Sequence, residues 1–467
     1  MSKRSAMELL PVAVVGGGPI GLAAAAHLIE RGLPVQVYEA GDMVGASIAE
    51  WAHVRTFSPW RCSVDGASER LLERYGWSAP KADRIPSGGE LLRDYLHPLS
   101  STPDLAPVIE TGAKVTRISR EGIDKVTSKD RDAKPFVLTV ARRDGSTSRE
   151  LARAVIDASG TWTNPNPLGS EGFPAEGELQ HRERLAYGMP DVLGRDRSVY
   201  AGKTTFVVGA GYSAANVLLD LAKLAEAEPD TSIAWVVRGS NLIRVFGGAL
   251  ADQLPARGEL GADVKTLVDH GRVKLITGFR TTAVRTKGNG IMLEGETVTG
   301  LSQIGPANRV IVSTGQRPDL ALTRELRVEL DPWLESAKDL GPLIDPNLHS
   351  CGSVPPHGHR ELAHPEPGFY TIGVKSYGRA PTFLLLTGYE QARSVAAAIA
   401  GDFAAADDLQ LVLPETGVCS TRSAAFEVSS SSGCCGGPAS AKAEACCVAD
   451  AVAKQEGQDG RGCRVAA

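Results

Sequence analysis

Two glycine-rich turns of one design, about 190 residues apart, constrain this chain more than any other feature. The first, Gly16-Gly-Gly18-Pro19-Ile-Gly21, follows the apolar run Val12–Val15 and opens a helical stretch, Leu22–Glu30, with a second apolar run over Leu33–Tyr38. The second, Gly209-Ala-Gly211-Tyr-Ser213-Ala214, lies between Thr205–Val208 and a helix reaching Leu224, with Ile233–Val237 beyond it. Short continuous apolar runs suit strands buried on both faces of a parallel sheet. In G-x-G-x-x-G the first Gly permits a tight turn, the second lets backbone approach a pyrophosphate, and the third lets helix pack on strand, a site that tolerates Ala. Amides at the helix N-terminus then hold the phosphate charge. Each unit predicts a βαβ cradle for a dinucleotide, and two cradles predict two nucleotides.

The residue that ends the second strand of each unit separates the two ligands. Glu39 stands there in the first unit, where a carboxylate binds ribose hydroxyls. In the second unit Arg238 takes that place, with Ser240 and Arg244 beyond, so a 2′-phosphate is accommodated and NADPH is favoured over NADH. Arg238 as a plain solvated strand-end charge is the alternative. One nucleotide unit serves a dehydrogenase, whereas two imply a nicotinamide that delivers hydride to a flavin in the same chain.

The 467 residues give a prior of about three domains. Apolar residues at 42% and charged residues at 22% are ordinary globular values, and a net charge of -5 argues against a nucleic-acid partner. The N-terminal apolar run leads into the glycine turn with no small-residue cleavage site, and no stretch approaches the roughly 20 apolar residues of a membrane span. A cytoplasmic, reduced location is expected. A Trp- and Pro-containing stretch fills 41–105. Alternation in Lys114–Ile118 and Phe136–Val140 suggests an antiparallel insertion. Strand-then-glycine patterns recur at Ala154–Gly160 and Arg309–Pro318, a strand at Gly368–Gly373 follows, and a helix is predicted from about Thr382 to Ala400, entered at Pro381 and left at Gly401. The fold class is α/β. A doubly wound, Rossmann-like FAD-binding domain (1–195 and 306–413) carries an inserted NADP-binding domain (196–305). From Thr416 onward Leu, Ile, Met, Tyr and Trp are absent, so 414–467 is expected to be a disordered tail.

Over roughly residues 10–410 the sequence resembles the two-dinucleotide-domain flavoproteins, and within them the flavin-containing monooxygenase-like branch. The likeness rests on VVGGGPIG with Glu39, IDASGTW (156–162), VVGAGYSA (207–214) and VSTGQRP (312–318). It implies a cofactor-binding set of Gly16, Gly18, Pro19, Gly21, Glu39 and Gly373 for FAD, with Val115 near the adenine. It implies NADP at Gly209, Gly211, Ser213 and Arg238, and places inter-domain crossovers at Gly160 and Gly315. Two departures matter. The late Gly-Asp motif of the disulfide-reductase relatives reads Gly373-Val374, so its carboxylate is missing, and the C-x-x-C or C-x-x-x-x-C pair of those relatives is absent before residue 415. The resemblance therefore implies a monooxygenase-like reaction, in which NADPH reduces FAD and oxygen is activated to oxygenate a soft nucleophile. The start of the predicted Thr382 helix, with Arg379 and Thr382 as candidate catalytic groups, would stabilise negative charge on the reduced ring. A simple capped core helix is the alternative.

Two further clusters stay open. His349, Cys351, His357, His359 and His364 fall in a Pro- and Gly-containing stretch that reads as a surface loop: a metal site, a lining of the substrate entrance or a plain polar loop. The tail carries the vicinal pairs Cys434-Cys435 and Cys446-Cys447, which suit thiophilic metals or metalloids and resemble the C-terminal pair of mercuric reductase. They make an oxidoreductase acting on a thiol-bound metal or metalloid, of the kind found beside arsenic-resistance systems, the second reading. A metal- or redox-sensing flavoprotein is the third. The expected partners are a small-molecule or metalloid substrate, oxygen and a second copy of the chain.

Overall fold

The computed structural model describes residues 7–240, 242, 246, 255–349, 354–381 and 383–411. Thr382, Arg244, Cys351 and the tail cysteines lie outside them. In chain order the strands are β1 Val12–Val15, β2 Val35–Tyr38, β3 Ile109–Glu110, β4 Ala113–Arg120, β5 Phe136–Arg142, β6 Thr147–Ala152, β7 Ala154–Asp157, β8 Leu185–Tyr187 and β9 Thr204–Val208. They continue with β10 Ser232–Val236, β11 Lys274–Ile276, β12 Arg280–Lys287, β13 Gly290–Thr297, β14 Gly300–Ala307, β15 Arg309–Val312 and β16 Phe369–Thr371. Three helices carry the argument: α1 Pro19–Glu30, α2 Tyr212–Ala227 and α3 Leu385–Ile399.

One parallel sheet runs β16-β7-β1-β2-β3 and a second runs β11-β10-β9-β15-β8. Every strand of the second lies between residues 185 and 312, so it is built from one continuous segment inserted between β7 and β16 of the first. The two-residue period of a strand assigns the faces. Val12 and Val14 join the helix-side core with Leu22 and Leu28 of α1, whereas Ala13 and Val15 pack on Phe136 and Leu138 of the antiparallel meander β4-β5-β6. The second sheet repeats the scheme. Ile233 and Trp235 face α2, and Ala234 and Val236 face a second meander, β12-β13-β14.

The first meander agrees with the alternation in the sequence. The second was not anticipated, although Gly288-Asn289-Gly290 between two alternating runs is a hairpin signal. Boundaries moved at the helices. α1 begins at Pro19 rather than Leu22, because Pro is pre-set for the first turn. α3 begins at Leu385 rather than near Thr382, and Pro381 is not in its first turn. The cause is Phe383, whose ring lies edge-on to Tyr377 with centroids 5.3 Å apart and against Gly388, where a Cβ would stand 2.7 Å from it. That packing holds the chain extended at Leu384 (φ -121°, ψ 150°). The exit is as expected, with Gly401 at φ +82°.

A buried ion triad ties the first meander to the segment before β16. Glu366, fully buried, accepts from Arg120 Nε at 2.7 Å and from Arg131 Nη2 at 2.7 Å, and Arg327 N–H donates to it at 2.9 Å. Burial alone would raise the carboxyl pKa, but these donors outweigh it and hold it below the ordinary 4.5. A depressed carboxylate stabilises the fold above its ordinary pKa and loses that contribution as pH falls through the folded value. Glu366→Gln is expected to cost about 3–5 kcal/mol in urea unfolding at neutral pH, as for a broken buried pair. Its stability deficit should shrink in acid, below about pH 4.5.

Candidate functional site

The first cradle forms where β1 ends. Gly16 has φ +104°, and a Cβ there would meet the Ala158 carbonyl oxygen at 2.6 Å, so only glycine fits. A Cβ at Gly21 would stand 1.9 Å from the Gly16 oxygen, which is how closely α1 crosses the strand end. At Gly18 a Cβ would meet nothing within 4 Å. Gly18 is also the N-cap of α1 with no side-chain cap, so the first helical amides keep open space in front of them. An open backbone approach and uncapped amides are what a pyrophosphate requires.

Glu39 completes this cradle. Its Oε2 accepts from Gly17 N–H and its Oε1 from Gly41 N–H, each at 2.7 Å. Gly112 and Ala113 at the start of β4 bond the carbonyls of Gly41 and Glu39 at 2.7 and 2.9 Å. Val115 lies close by in sequence, but its side chain is buried in the meander core with Tyr38 and Val140.

The second cradle has the same geometry. Gly209, φ +136°, has no room for a Cβ, which would meet the Ser313 oxygen at 2.2 Å, and Gly211 is open in front of an uncapped α2. Ala214 in the third position is fully buried against the sheet. Ser213 is half-buried in the first turn of α2, and Arg238 is exposed just past β10. Trp235 Nε1 donates to the Gly209 oxygen at 2.7 Å and braces the turn from below. Phe57 packs on Tyr212, the first residue of α2, with centroids 5.2 Å apart, which brings the 51–60 stretch to the second cradle.

The two crossovers lie side by side. Gly160 and Gly315 both have positive φ, +71° and +87°. Asn166 N–H donates to the Gly315 oxygen at 2.9 Å and Arg317 N–H to the Asn164 oxygen at 3.1 Å. Asn166 Nδ2 adds a bond to the Thr314 oxygen at 3.0 Å, and Thr314 Oγ1 returns one to the Asn166 oxygen at 2.9 Å. The segments entering and leaving the second sheet thus form a two-stranded ribbon.

Other expected groups are placed differently. Arg379 is exposed, and its N–H donates to the Leu334 oxygen at 2.6 Å. Gly373, φ +72°, donates its N–H to Gln391 Oε1 at 2.8 Å, and Val374 beside it is exposed. The described part of the His stretch is a loop, as expected, but it is not wholly at the surface: His357 and His359 are 0% and 8% exposed, whereas His349 and His364 are half-buried. Pro355 O and Gln391 hold His357, while Asp407 holds His359 at 2.9 Å. Burial pushes the His357 and His364 pKa values down. Among the described residues no group of three or more His, Cys, Asp or Glu is placed to hold a metal ion. A cavity of about 570 Å³, lined by His27, Asp65 and Tyr389 among others, opens at the C-terminal end of α1, away from the glycine turns.

The motif reading missed Asp157 and Lys375. Lys375 Nζ lies 2.7 Å from Asp157 Oδ2 at the end of β7, and both are buried. The available signal was a single charge in each of two otherwise uncharged runs, Ala154–Gly160 and Gly368–Gly378.

Residues 10–354 match the pyridine nucleotide-disulphide oxidoreductase family. The chain belongs to this family. It is a two-dinucleotide flavoprotein of the FAD and NAD(P)H-using class. No curated protein matches the sequence. Among solved structures, bacillithiol disulfide reductase from Bacillus cereus is similar with TM-score 0.60 and 18% identity, over 84% of this chain and 99% of that one. An ornithine N-hydroxylase from Kutzneria, solved with reduced FAD, NADP+ and L-ornithine, gives 0.56 and 15% over 84% and 98%. Thioredoxin reductase from T. acidophilum gives 0.52 and 15% over the same shares. These likenesses are of fold. No helix among the described residues is long and apolar enough to cross a membrane.

The family's cradle geometry separates two kinds of glycine. Gly18→Val is expected to keep the melting temperature within a few degrees, about the shift of 1 kcal/mol or less, while flavin content after purification falls at least roughly ten-fold. Gly21→Val should instead unfold the turn and be lost as insoluble protein. Absorbance near the flavin band, set against thermal melting, reads both.

Proposed function

We propose that the protein is an NADPH-dependent FAD enzyme of the monooxygenase-like kind, with a soft nucleophile as the atom oxygenated. FAD would be held by Gly16, Gly18, Pro19, Gly21 and Glu39, and NADPH by Gly209, Gly211, Ser213 and Arg238. When bound, the pair supplies hydride transfer from nicotinamide to flavin and two-electron reduction of oxygen. The chain's own part is positional. Uncapped amides of α1 and α2 take up phosphate charge, Glu39 orients a ribose, and Arg238 faces a 2′-phosphate from an exposed strand end.

One observation carries this reading over thiol exchange. Cys62 is the one cysteine among the described residues; it is half-buried, and burial pushes its thiol pKa up, against nucleophilic use. Disulfide exchange starts from a thiolate, which this thiol disfavours. The vicinal pairs at 434–435 and 446–447 favour the second reading, transfer to a thiol-bound metal or metalloid; they lie outside the described residues.

The readings separate on reoxidation of NADPH-reduced holoenzyme by oxygen. Oxygenation chemistry expects hydrogen peroxide to appear later than reduced flavin disappears, and peroxide released in step with flavin reoxidation would overturn it. Deletion of residues 416–467 should leave these kinetics unchanged, whereas a delivery arm would show loss of turnover with arsenite or mercuric ion. Arg238→Ala should lower the NADPH-over-NADH preference in kcat/KM roughly ten-fold, the worth of one charge-assisted bond of about 1.5 kcal/mol.

A further inference from the structure

The order β16-β7-β1-β2-β3 gives the first nucleotide a direction. Glu39 at the end of β2 marks the ribose side, and the glycine turn after β1 marks the pyrophosphate. A dinucleotide laid along the carboxyl ends of the strands in that sense continues toward β7 and β16. Asp157 is the last residue of β7, and Lys375 lies in the turn after β16.

These two residues and Ser159 form a closed cluster. Lys375 Nζ donates to Asp157 Oδ2 at 2.7 Å and to Ser159 Oγ at 3.0 Å. Ser159 Oγ and N–H donate to Asp157 Oδ1 at 2.6 and 3.1 Å, and Ile372 N–H donates to the Asp157 oxygen at 3.0 Å. The side chains of Lys375 and Asp157 are 3% and 0% exposed. The turn they hold touches the cradle at Gly16 and the turn after β16 at Val374. A Cβ on Gly16 would meet Ala158 O at 2.6 Å and Ser159 Cα at 3.0 Å, and one on Gly160 would sit 3.9 Å from Val374 Cγ1. Gly160 and Val374, which approach one another, are the chain neighbours of Ser159 and Lys375 in the cluster.

A buried ion pair is weak evidence for stability, because apolar residues of similar volume do as well or better. Its geometric specificity is what a hydrophobic replacement lacks. We infer that Asp157, Ser159 and Lys375 are positioning residues that set the Ala158–Gly160 turn beneath the flavin end of FAD. This rests on FAD occupying the first cradle.

Removing Lys375 alone would strand a buried carboxylate, so the test uses Asp157→Asn with Lys375→Met, which removes both charges together. FAD titrated into the deflavinated parent and double variant, NADP+ calorimetry and thermal melting of the apoproteins are the measurements. The expected result is FAD binding weakened roughly ten-fold or more. NADP+ affinity should stay within about two-fold, and the apoprotein melt within a few degrees, the size of a small stability change. Bound flavin in the variant should also lose the fine structure of its visible band, which a purely structural role would not alter. FAD affinity equal to the parent's overturns the inference, as does an equal loss of both nucleotides with a collapsed apoprotein melt. A parent that takes up no flavin would instead sink the assignment of the first cradle and this inference with it.

Discussion

At Gly21 the space where a Cβ would stand is 1.9 Å from the carbonyl oxygen of Gly16, and at Gly16 it is 2.6 Å from that of Ala158. Three pieces of backbone, the end of β1, the first turn of α1 and the turn after β7, are thereby brought to within contact of one another. That convergence requires residues without side chains, and it leaves the amides of α1 facing an open space at Gly18. The open cradle is what remains when a strand, a helix and a crossover meet closer than L side chains allow. A substitution at Gly21 acts on that meeting, whereas one at Gly18 acts on the open space in front of it.

The second cradle repeats this at Gly209, where Ser313 takes the part of Ala158 and Ala214 that of Gly21. Both sheets also carry helices on one face and a three-stranded meander on the other. The units are joined by two chain segments hydrogen-bonded into a ribbon, with left-handed Gly315 in one strand and left-handed Gly160 just ahead of the other. Paired in this way, neither crossover can change course without breaking bonds to the other. Two nucleotides that must meet for hydride transfer gain a defined approach from such a joint.

What was legible in the sequence was local. The glycine turns, the apolar runs and the strand-end Glu39 and Arg238 are set by residues within some thirty positions of one another, and the structure has both cradles where the motifs lie. The start of α3 was misjudged because side-chain packing, not helix propensity, sets it: Phe383 against Gly388 and Tyr377 displaced its entrance. The His stretch read as a loop because its prolines and glycines are turn formers. His357 is buried there by Tyr377 and Gln391, from elements that follow it in the chain. The Asp157–Lys375 pair spans 218 positions, and no periodicity or spacing connects its members. Opposite charges in uncharged runs were the trace it left.

Glu39 shows how much of the first site is set before a ligand arrives. Its two oxygens already accept the amides of Gly17 and Gly41, one bond each. An ionised carboxylate has about four acceptor sites, so two remain for the hydroxyls of a ribose without displacing either amide. The amide bonds instead fix the carboxylate's plane and tie it to the glycine turn. The strand-end carboxylate and the glycine turn of the cradle are therefore one hydrogen-bonded piece. Arg238 stands exposed at its strand end. On the proposed assignment, the first nucleotide's ribose meets a carboxylate already fixed by two amides, and the second nucleotide's 2′-phosphate meets a guanidinium on an exposed strand end.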